Sequence, residues 1–369
     1  MPFIEAVLTL AGMIIGVGMF AIPFSFVRAG FWLGAAELAL LALVVLWFHL
    51  LYGDIVLATP SFHRMPGYIR MYLGRRAAVL SWFSTMLGSF GALLAYLAAG
   101  ALFLHTIAAP VFPDATMFFW ASALAVAGAV VNFFSLKKAS AINAVLSFLL
   151  IAFIILLSAW LLPRISLDRL SPPQWTNLFV PYGVLLFALT GGSVIPDVIT
   201  LLGRRRAASR AAIAAGSLMP AALYFLFALA VVGVAGAGTS EEAIAGLGRA
   251  VGPGIAWWGS IIGLLAVFTS LVALAENMGA LFRLDLGVPD LAAWAMIAGV
   301  PYLLYLGGLQ NFIVIISIVG VLGFGIDALL IVLAHRVLRR GARGRRGAAL
   351  FVECAVAIAA IIGVAAYLY

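Results

Sequence analysis

The sequence predicts an all-α polytopic membrane protein with 11 transmembrane helices: a 5+5 inverted repeat whose helices 1 and 6 are discontinuous, plus one extra C-terminal helix. Three observations lead there. Hydrophobic residues make up 66% of the 369 positions and charged residues only 9%, against roughly half and about a quarter in a soluble domain. Apolar blocks of about 20 residues, the length that crosses the hydrocarbon layer, recur from one end to the other. Two of those blocks, five spans apart, share a glycine and proline interruption. So little polar side chain could not cover a water-soluble fold, whereas a lipid exterior requires none.

The expected spans are 6–27, 33–57, 81–109, 117–134, 141–162, 178–201, 211–235, 255–280, 291–306, 312–335 and 348–368. They form one transmembrane domain over 1–369, with a first five-helix repeat at 6–162, a second inverted one at 178–335 and an additional helix at 348–368. The ninth is the weakest, because Pro301 interrupts a short block; a re-entrant or missing ninth span would change the parity. Loop charge tests the count separately. With the N-terminus cytoplasmic, the inside loops hold Arg64, Arg70, Arg75 and Arg76; Lys137 and Lys138; Arg204, Arg205, Arg206 and Arg210; Arg283; and Arg336, Arg339, Arg340, Arg343, Arg345 and Arg346. That is 17 of 21 basic residues, leaving Arg28, Arg164, Arg169 and Arg249 outside. The bias follows the positive-inside rule and places Tyr369 beyond the outer face of a cytoplasmic membrane. Trp32, Trp82, Trp120, Trp160 and Trp175 lie near span ends, where an indole can keep its N–H among the headgroups.

Several function classes drop out. The one cysteine, Cys354, allows neither an intramolecular disulfide nor a thiolate metal cluster. His49, His63, His105 and His335 have no metal-ligand spacing. The formal charge of +8 sits in short loops, where it reads as orientation and not as a nucleic-acid surface. No phosphate-binding loop suggests a pump, and no nucleophile elbow suggests a hydrolase. Neither an enzyme nor a resident cofactor is expected. MPFIEAVLTLAGMIIG is expected to be retained within the first span, not removed as a signal peptide.

The interruptions carry the functional argument. In LAGMIIGVGMFAIPFSF, Gly12, Gly16 and Gly18 weaken the helix and Pro23 withholds an N–H from the Met19 carbonyl. In LLFALTGGSVIPDVIT, Gly191 and Gly192 precede Pro196. Both segments read G-x-x-x-I-P. A kink or close helix packing accounts for either one alone. Their positions, each first in a set of five, point to an inverted-topology repeat, because an odd number of spans reverses the second set. A span opened in mid-membrane leaves N–H and C=O groups that only protein, water or ligand can satisfy. Such groups fit a small zwitterion, with its carboxylate at N–H groups and its ammonium at carbonyls. The substrate-binding candidates are Gly16, Val17, Gly18, Met19 and Phe20 with Phe187, Thr190, Gly191, Gly192 and Ser193; Pro23 and Pro196 mark the breaks. Phe90 and Tyr96 on the third span are candidates for the side-chain pocket.

The stretch GMIIGVGMFAIPFSFVRAGFWLG resembles the first segment of amino acid permeases of the APC superfamily, in the branch of aromatic and hydroxy amino acid permeases and amino acid/auxin permeases. Gly12, Gly16, Gly18, Met19 and Pro23 fall on its motif and Gly30 suits it. The resemblance implies a 5+5 inverted repeat, alternating access, and import of an L-amino acid driven by H⁺ or Na⁺. In sodium-coupled relatives, adjacent hydroxyls on the eighth span join carbonyls of the broken first span. Carried over, that site would use Thr269 and Ser270 with carbonyls from Gly12 to Ile15.

Carboxylates within the spans need a reason, since insertion of Asp at mid-helix costs about 2.5–3.5 kcal/mol. Glu276 is the first candidate for a coupling or gating group, against a plain end pair with Arg283. Asp327 is the second. Asp54 is expected to meet basic loop groups, Glu37 to approach the outer surface, and Asp197 to cap the restarted half-helix or to serve transport. H⁺ and Na⁺ coupling remain equally open, and the oligomeric state is unspecified. The leading expectation is a secondary transporter whose partners are the lipid bilayer, H⁺ or Na⁺, and a small substrate, an amino acid that is aromatic or otherwise large and neutral. The alternatives are a channel or carrier for another solute such as an amine, or a membrane scaffold.

Overall fold

The computed structural model describes residues 2–133 and 139–341, with the side chains of 139–147, 269, 284–285 and 340–341 left undescribed. The expected span 348–368, Lys137, Lys138, Arg343, Arg345, Arg346, Cys354 and Tyr369 lie outside the described residues. Fourteen α-helices follow one another there. They are α1 (Pro2–Ile14), α2 (Gly18–Ala29), α3 (Phe31–Ala58), α4 (Met65–Leu73), α5 (Arg75–Ala108), α6 (Met117–Phe133) and α7 (Ala139–Leu161). The second half holds α8 (Val180–Leu189), α9 (Ile195–Leu201), α10 (Arg206–Ala235), α11 (Ile244–Val251), α12 (Pro253–Leu286), α13 (Asp290–Leu306) and α14 (Phe312–Gly341).

Six apolar segments are long enough to cross a bilayer singly, and α1 with α2 forms a seventh, bent by 58° at its break. Three shorter apolar helices, Met117–Phe133, Phe148–Arg164 and Asp290–Leu306, accompany them. Pro301 sits inside α13 without ending it. Exposed side chains such as Leu40, Leu43, Val126 and Leu156 give the bundle an apolar exterior, which lipid tolerates and water would not.

The two halves repeat each other. A broken pair opens each, α1/α2 and α8/α9. A long helix follows (α3, 28 residues; α10, 30 residues), then a short connecting helix (α4, nine residues; α11, eight residues). One left-turning glycine then leads into a 34-residue helix in each half: Gly74 (φ 84°) before α5 and Gly252 (φ 137°) before α12. A side chain with a Cβ avoids such φ values. α6 and α13 are each 17 residues. The connecting helices α4 and α11 were not legible as apolar blocks, being too short to span.

Close backbone approach seats the broken pairs. A Cβ on Gly183 would lie 2.7 Å from the Ser317 Cα, and one on Gly320 2.7 Å from the Phe187 nitrogen, so α8 and α14 touch main chain to main chain. At one end of the bundle, Asp54 on α3 pairs with Arg210 at 2.8 Å and Arg206 at 3.5 Å, and His335 of α14 stands 3.9 Å away. The Arg204 guanidinium donates to the carbonyls of Val56, Leu57 and Thr59, capping the end of α3. Arg283 pairs with Asp290 at 3.6 Å. At the opposite end the segment between α7 and α8 closes over the α2–α3 corner, where the Gln174 N–H donates to Ala29 and the Phe31 N–H to Ser171.

Candidate functional site

The α1/α2 break occupies residues 15–17. Pro23 lies inside α2, beyond the break; the helix opens at Gly16, the residue with least to lose there, and not at the proline. In the second interruption Thr190 is extended, Gly192–Val194 forms a 3₁₀ turn, and Pro196 falls in the first turn of α9, where its missing N–H has no helical partner to lose.

Tyr224 of α10 joins the two interruptions. Its fully buried hydroxyl lies 2.8 Å from the Ile14 carbonyl, the last of α1, and 3.0 Å from the Ala188 carbonyl near the end of α8. One O–H proton thus serves two helix C-termini. The Thr190 hydroxyl donates to Leu186 at 2.6 Å. Chain hydroxyls therefore occupy the carbonyl ends. At the start of α2, Val17 supplies no side-chain cap. The Val17 and Gly18 N–H groups have no hydrogen-bond partner among the described residues, and Met19 and Phe20 donate back to Gly16 and Val17. The start of α9 differs, because Asp197 occupies its first turn. Arg64 holds that carboxylate at 2.6 Å and also donates to the Ser193 carbonyl at 3.2 Å.

A cavity of about 1900 Å³ reaches both breaks from the arginine-rich end. Glu5, Thr9, Arg64 and Arg70 stand along it, and Gly16, Val17, Gly18, Phe187 and Tyr96 line it as well. Gly12, Thr190, Gly191, Gly192, Ser193, Ser270 and Asp327 also line it. Ile15, Met19 and Phe20 are buried and do not line it. Phe20 instead packs edge-on against Phe103 at 5.1 Å and Phe227 at 6.0 Å. These rings come from α2, α5 and α10 and form a buried aromatic cluster. Phe90 packs against Phe282 at 6.3 Å, also off the cavity wall.

Of the carboxylates within the spans, Asp327 on α14 and Asp197 on α9 line the cavity, and Asp197 is paired with Arg64. The Asp327 Oδ1 is buried without a hydrogen-bond partner, and Ser84 stands beside it. Glu276 is exposed and does not line the cavity, although Asn277 next to it does. Both Glu37 oxygens are buried without a partner, also off the cavity. For a sodium site, Gly12 and Ser270 share the cavity wall and Ser270 is within hydrogen-bonding reach of Tyr96. The Ile15 N–H donates to Ala11 at 2.8 Å, and the Thr269 side chain is outside the description. Sequence reasoning missed Tyr224 and His49: an isolated Tyr or His in an apolar span carries no signal until its neighbours are known.

A model of the tryptophan/tyrosine permease family matches residues 2–348. Curated proteins give no match. Among solved structures, the chain is similar to MhsT in complex with L-phenylalanine, at 16% identity and a TM-score of 0.66 over 100% of this chain and 97% of that one. It is also similar to Mhp1, a nucleobase-cation-symport-1 family transporter, closed with bromovinylhydantoin bound, at 16% identity and a TM-score of 0.64 over 89% and 77% of the two chains. The inward-facing conformation of Mhp1 gives 16% identity and a TM-score of 0.67 over 92% and 77%. At that identity the likeness concerns the fold: an all-α polytopic membrane protein built as a 5+5 inverted repeat.

Proposed function

This chain belongs to the tryptophan/tyrosine permease family, a membrane transporter and not an enzyme, and from that premise we propose that it imports an aromatic L-amino acid by proton symport through alternating access. The observation that carries the reading is the cavity that reaches both interruptions from the arginine-rich end; the buried Phe20, Phe103 and Phe227 rings would close the path on the other side. In this reading the substrate carboxylate meets the Val17 and Gly18 N–H groups at the positive end of α2. The start of α9 already holds Asp197, whose charge would repel it. Gly16, Gly191, Gly192 and Ser193 let the substrate main chain approach, and Phe187 and Tyr96 flank its ring.

Asp327 is the proton carrier of this reading, because it lines the cavity with a buried oxygen left for a proton, whereas Asp197, also on the cavity wall, is engaged by Arg64. The sodium alternative keeps Gly12, Ile15, Thr269 and Ser270. The arginine-rich end is cytoplasmic in this reading, which makes the present state inward-open in a cytoplasmic membrane. The span at 348–368 would bring the total to eleven and the C-terminus outside, in the aromatic and hydroxy amino acid permease branch of the APC superfamily. The test is uptake of labelled tryptophan, tyrosine and phenylalanine into proteoliposomes under an imposed proton gradient or an imposed sodium gradient. Accumulation with the proton gradient alone is expected. Accumulation with sodium alone would move the coupling to the sodium set, and no accumulation of any aromatic amino acid would overturn the reading.

A further inference from the structure

His49 lies in the second half of α3, 4% exposed, with Nδ1 2.9 Å from the Ser217 hydroxyl of α10. Among the described residues the ring makes no other hydrogen bond, and the residue lines the cavity. The ring edge faces the second interruption: a Cβ placed on Gly192 would stand 3.6 Å from the His49 Cδ2 and 3.7 Å from Nε2. The surroundings are aromatic. Phe48 and Phe324 meet edge-on at 5.1 Å, and both line the cavity with Phe187. The arrangement is an aromatic recess with one polar atom at its edge, next to the main chain that would hold an amino acid.

We propose that His49 is the specificity-determining residue of this site, with Nε2 bonding a polar group on the substrate's aromatic ring and the phenol hydroxyl of a tyrosine-like side chain as the matching group. The inference rests on the amino acid transport reading. Its chemistry follows from Ser217. A serine hydroxyl can donate to Nδ1 or accept from it, so Nε2 is free to carry the proton or to lack it. A phenol both donates and accepts and satisfies either tautomer. An indole N–H satisfies only one, and a phenyl ring neither. A phenyl ring placed there would leave Nε2 desolvated and unbonded, which is the strong form of rejection.

The experiment is competition against labelled tyrosine uptake in proteoliposomes of the full chain, with 4-methylphenylalanine and phenylalanine as competitors of nearly the same shape. The native protein should favour tyrosine over 4-methylphenylalanine by about tenfold, the worth of one buried hydrogen bond. His49→Leu should bring that ratio to about one, and His49→Gln, which keeps a donor and an acceptor, should restore part of it. The ratio is read within one preparation, so a change in protein amount does not mimic the effect. A native protein that takes tyrosine and 4-methylphenylalanine equally would overturn the proposal, whatever the variants do. So would a His49→Leu protein that keeps the native ratio. Failure to transport any aromatic amino acid would instead count against the transport reading.

Discussion

Replacing Tyr224 by phenylalanine removes one oxygen and keeps a ring of the same size in the same place. The lost hydroxyl serves Ile14 at 2.8 Å and Ala188 at 3.0 Å, both in a buried setting. Two full hydrogen bonds cannot be counted, because one proton is shared between two carbonyls. An unsatisfied buried carbonyl costs about 1–3 kcal/mol, whereas paired polar groups in membrane bundles average about 0.6 kcal/mol. A total of about 1–2 kcal/mol brackets the change. If Tyr224 holds the two interruptions in register, that energy is lost from the arrangement that binds substrate. The apparent KM for uptake should then rise about tenfold, with a smaller change in the maximal rate. The unfolding midpoint of the purified protein should fall by roughly 2 °C, by size scaling. The assays are concentration-dependent uptake in proteoliposomes and thermal unfolding in detergent. Unchanged KM and unchanged midpoint together would refute the idea that this hydroxyl ties the breaks. A lower midpoint with unchanged KM would reduce it to ordinary packing.

Gly18→Val should abolish uptake, since even a Cβ at Gly18 would stand 3.1 Å from the Ala188 Cα and 3.0 Å from the Phe187 ring; Gly192→Ala, whose Cβ meets His49 at 3.6 Å, should be tolerated far better, and equal uptake by the two variants would deny that the breaks differ in room. Asp327→Asn should stop accumulation driven by a proton gradient while leaving exchange of labelled for unlabelled substrate, whereas Glu276→Gln, away from the cavity, should leave gradient-driven uptake in place; the reverse pattern would transfer the coupling role to Glu276. Arg64→Ala breaks a half-exposed pair with Asp197, worth at most about 1 kcal/mol in stability. Its effect should therefore appear in the rate of substrate release to the arginine-rich side and not in the unfolding midpoint, and a large loss of stability would contradict that reading.

Much of this architecture was legible from residue pattern. Length and hydropathy locate the long apolar helices, because the bilayer constrains both together. The glycine clusters at 16–18 and 191–192 announced the interruptions, since a residue without a Cβ is the one that opens a helix at least steric expense. Pro23, expected to mark the first break, lies beyond it, whereas Pro196 stands at the second. Pro23 withholds one N–H, yet α2 continues through it, while Gly16 permits the opening earlier. The second sign of the repeat, a short helix, a positive-φ glycine and a 34-residue helix in each half, was also present as Gly74 and Gly252. It was hidden because α4 and α11 lack the length that marks a span. What the pattern could not supply is which side chains converge. Asp327 and Glu276 look alike in sequence, and only helix rotation places one at the cavity and the other on the outside of the bundle.

Both interruptions expose carbonyls at one half-helix end and N–H groups at the next, and the chain treats the two kinds differently. Tyr224 and Thr190 attend to the carbonyl ends from within the protein. Asp197, held by Arg64, supplies negative charge to the start of α9. The start of α2 receives no such side chain. An unpartnered pair of N–H groups at the head of a cavity is costly unless something arrives to use it, and a carboxylate is the group that a positive helix end favours most. On the reading proposed above, the asymmetry gives the two similar breaks one polarity. In that reading the substrate carboxylate needs no charged side chain at the first break, which leaves Asp327 on α14 free to exchange a proton.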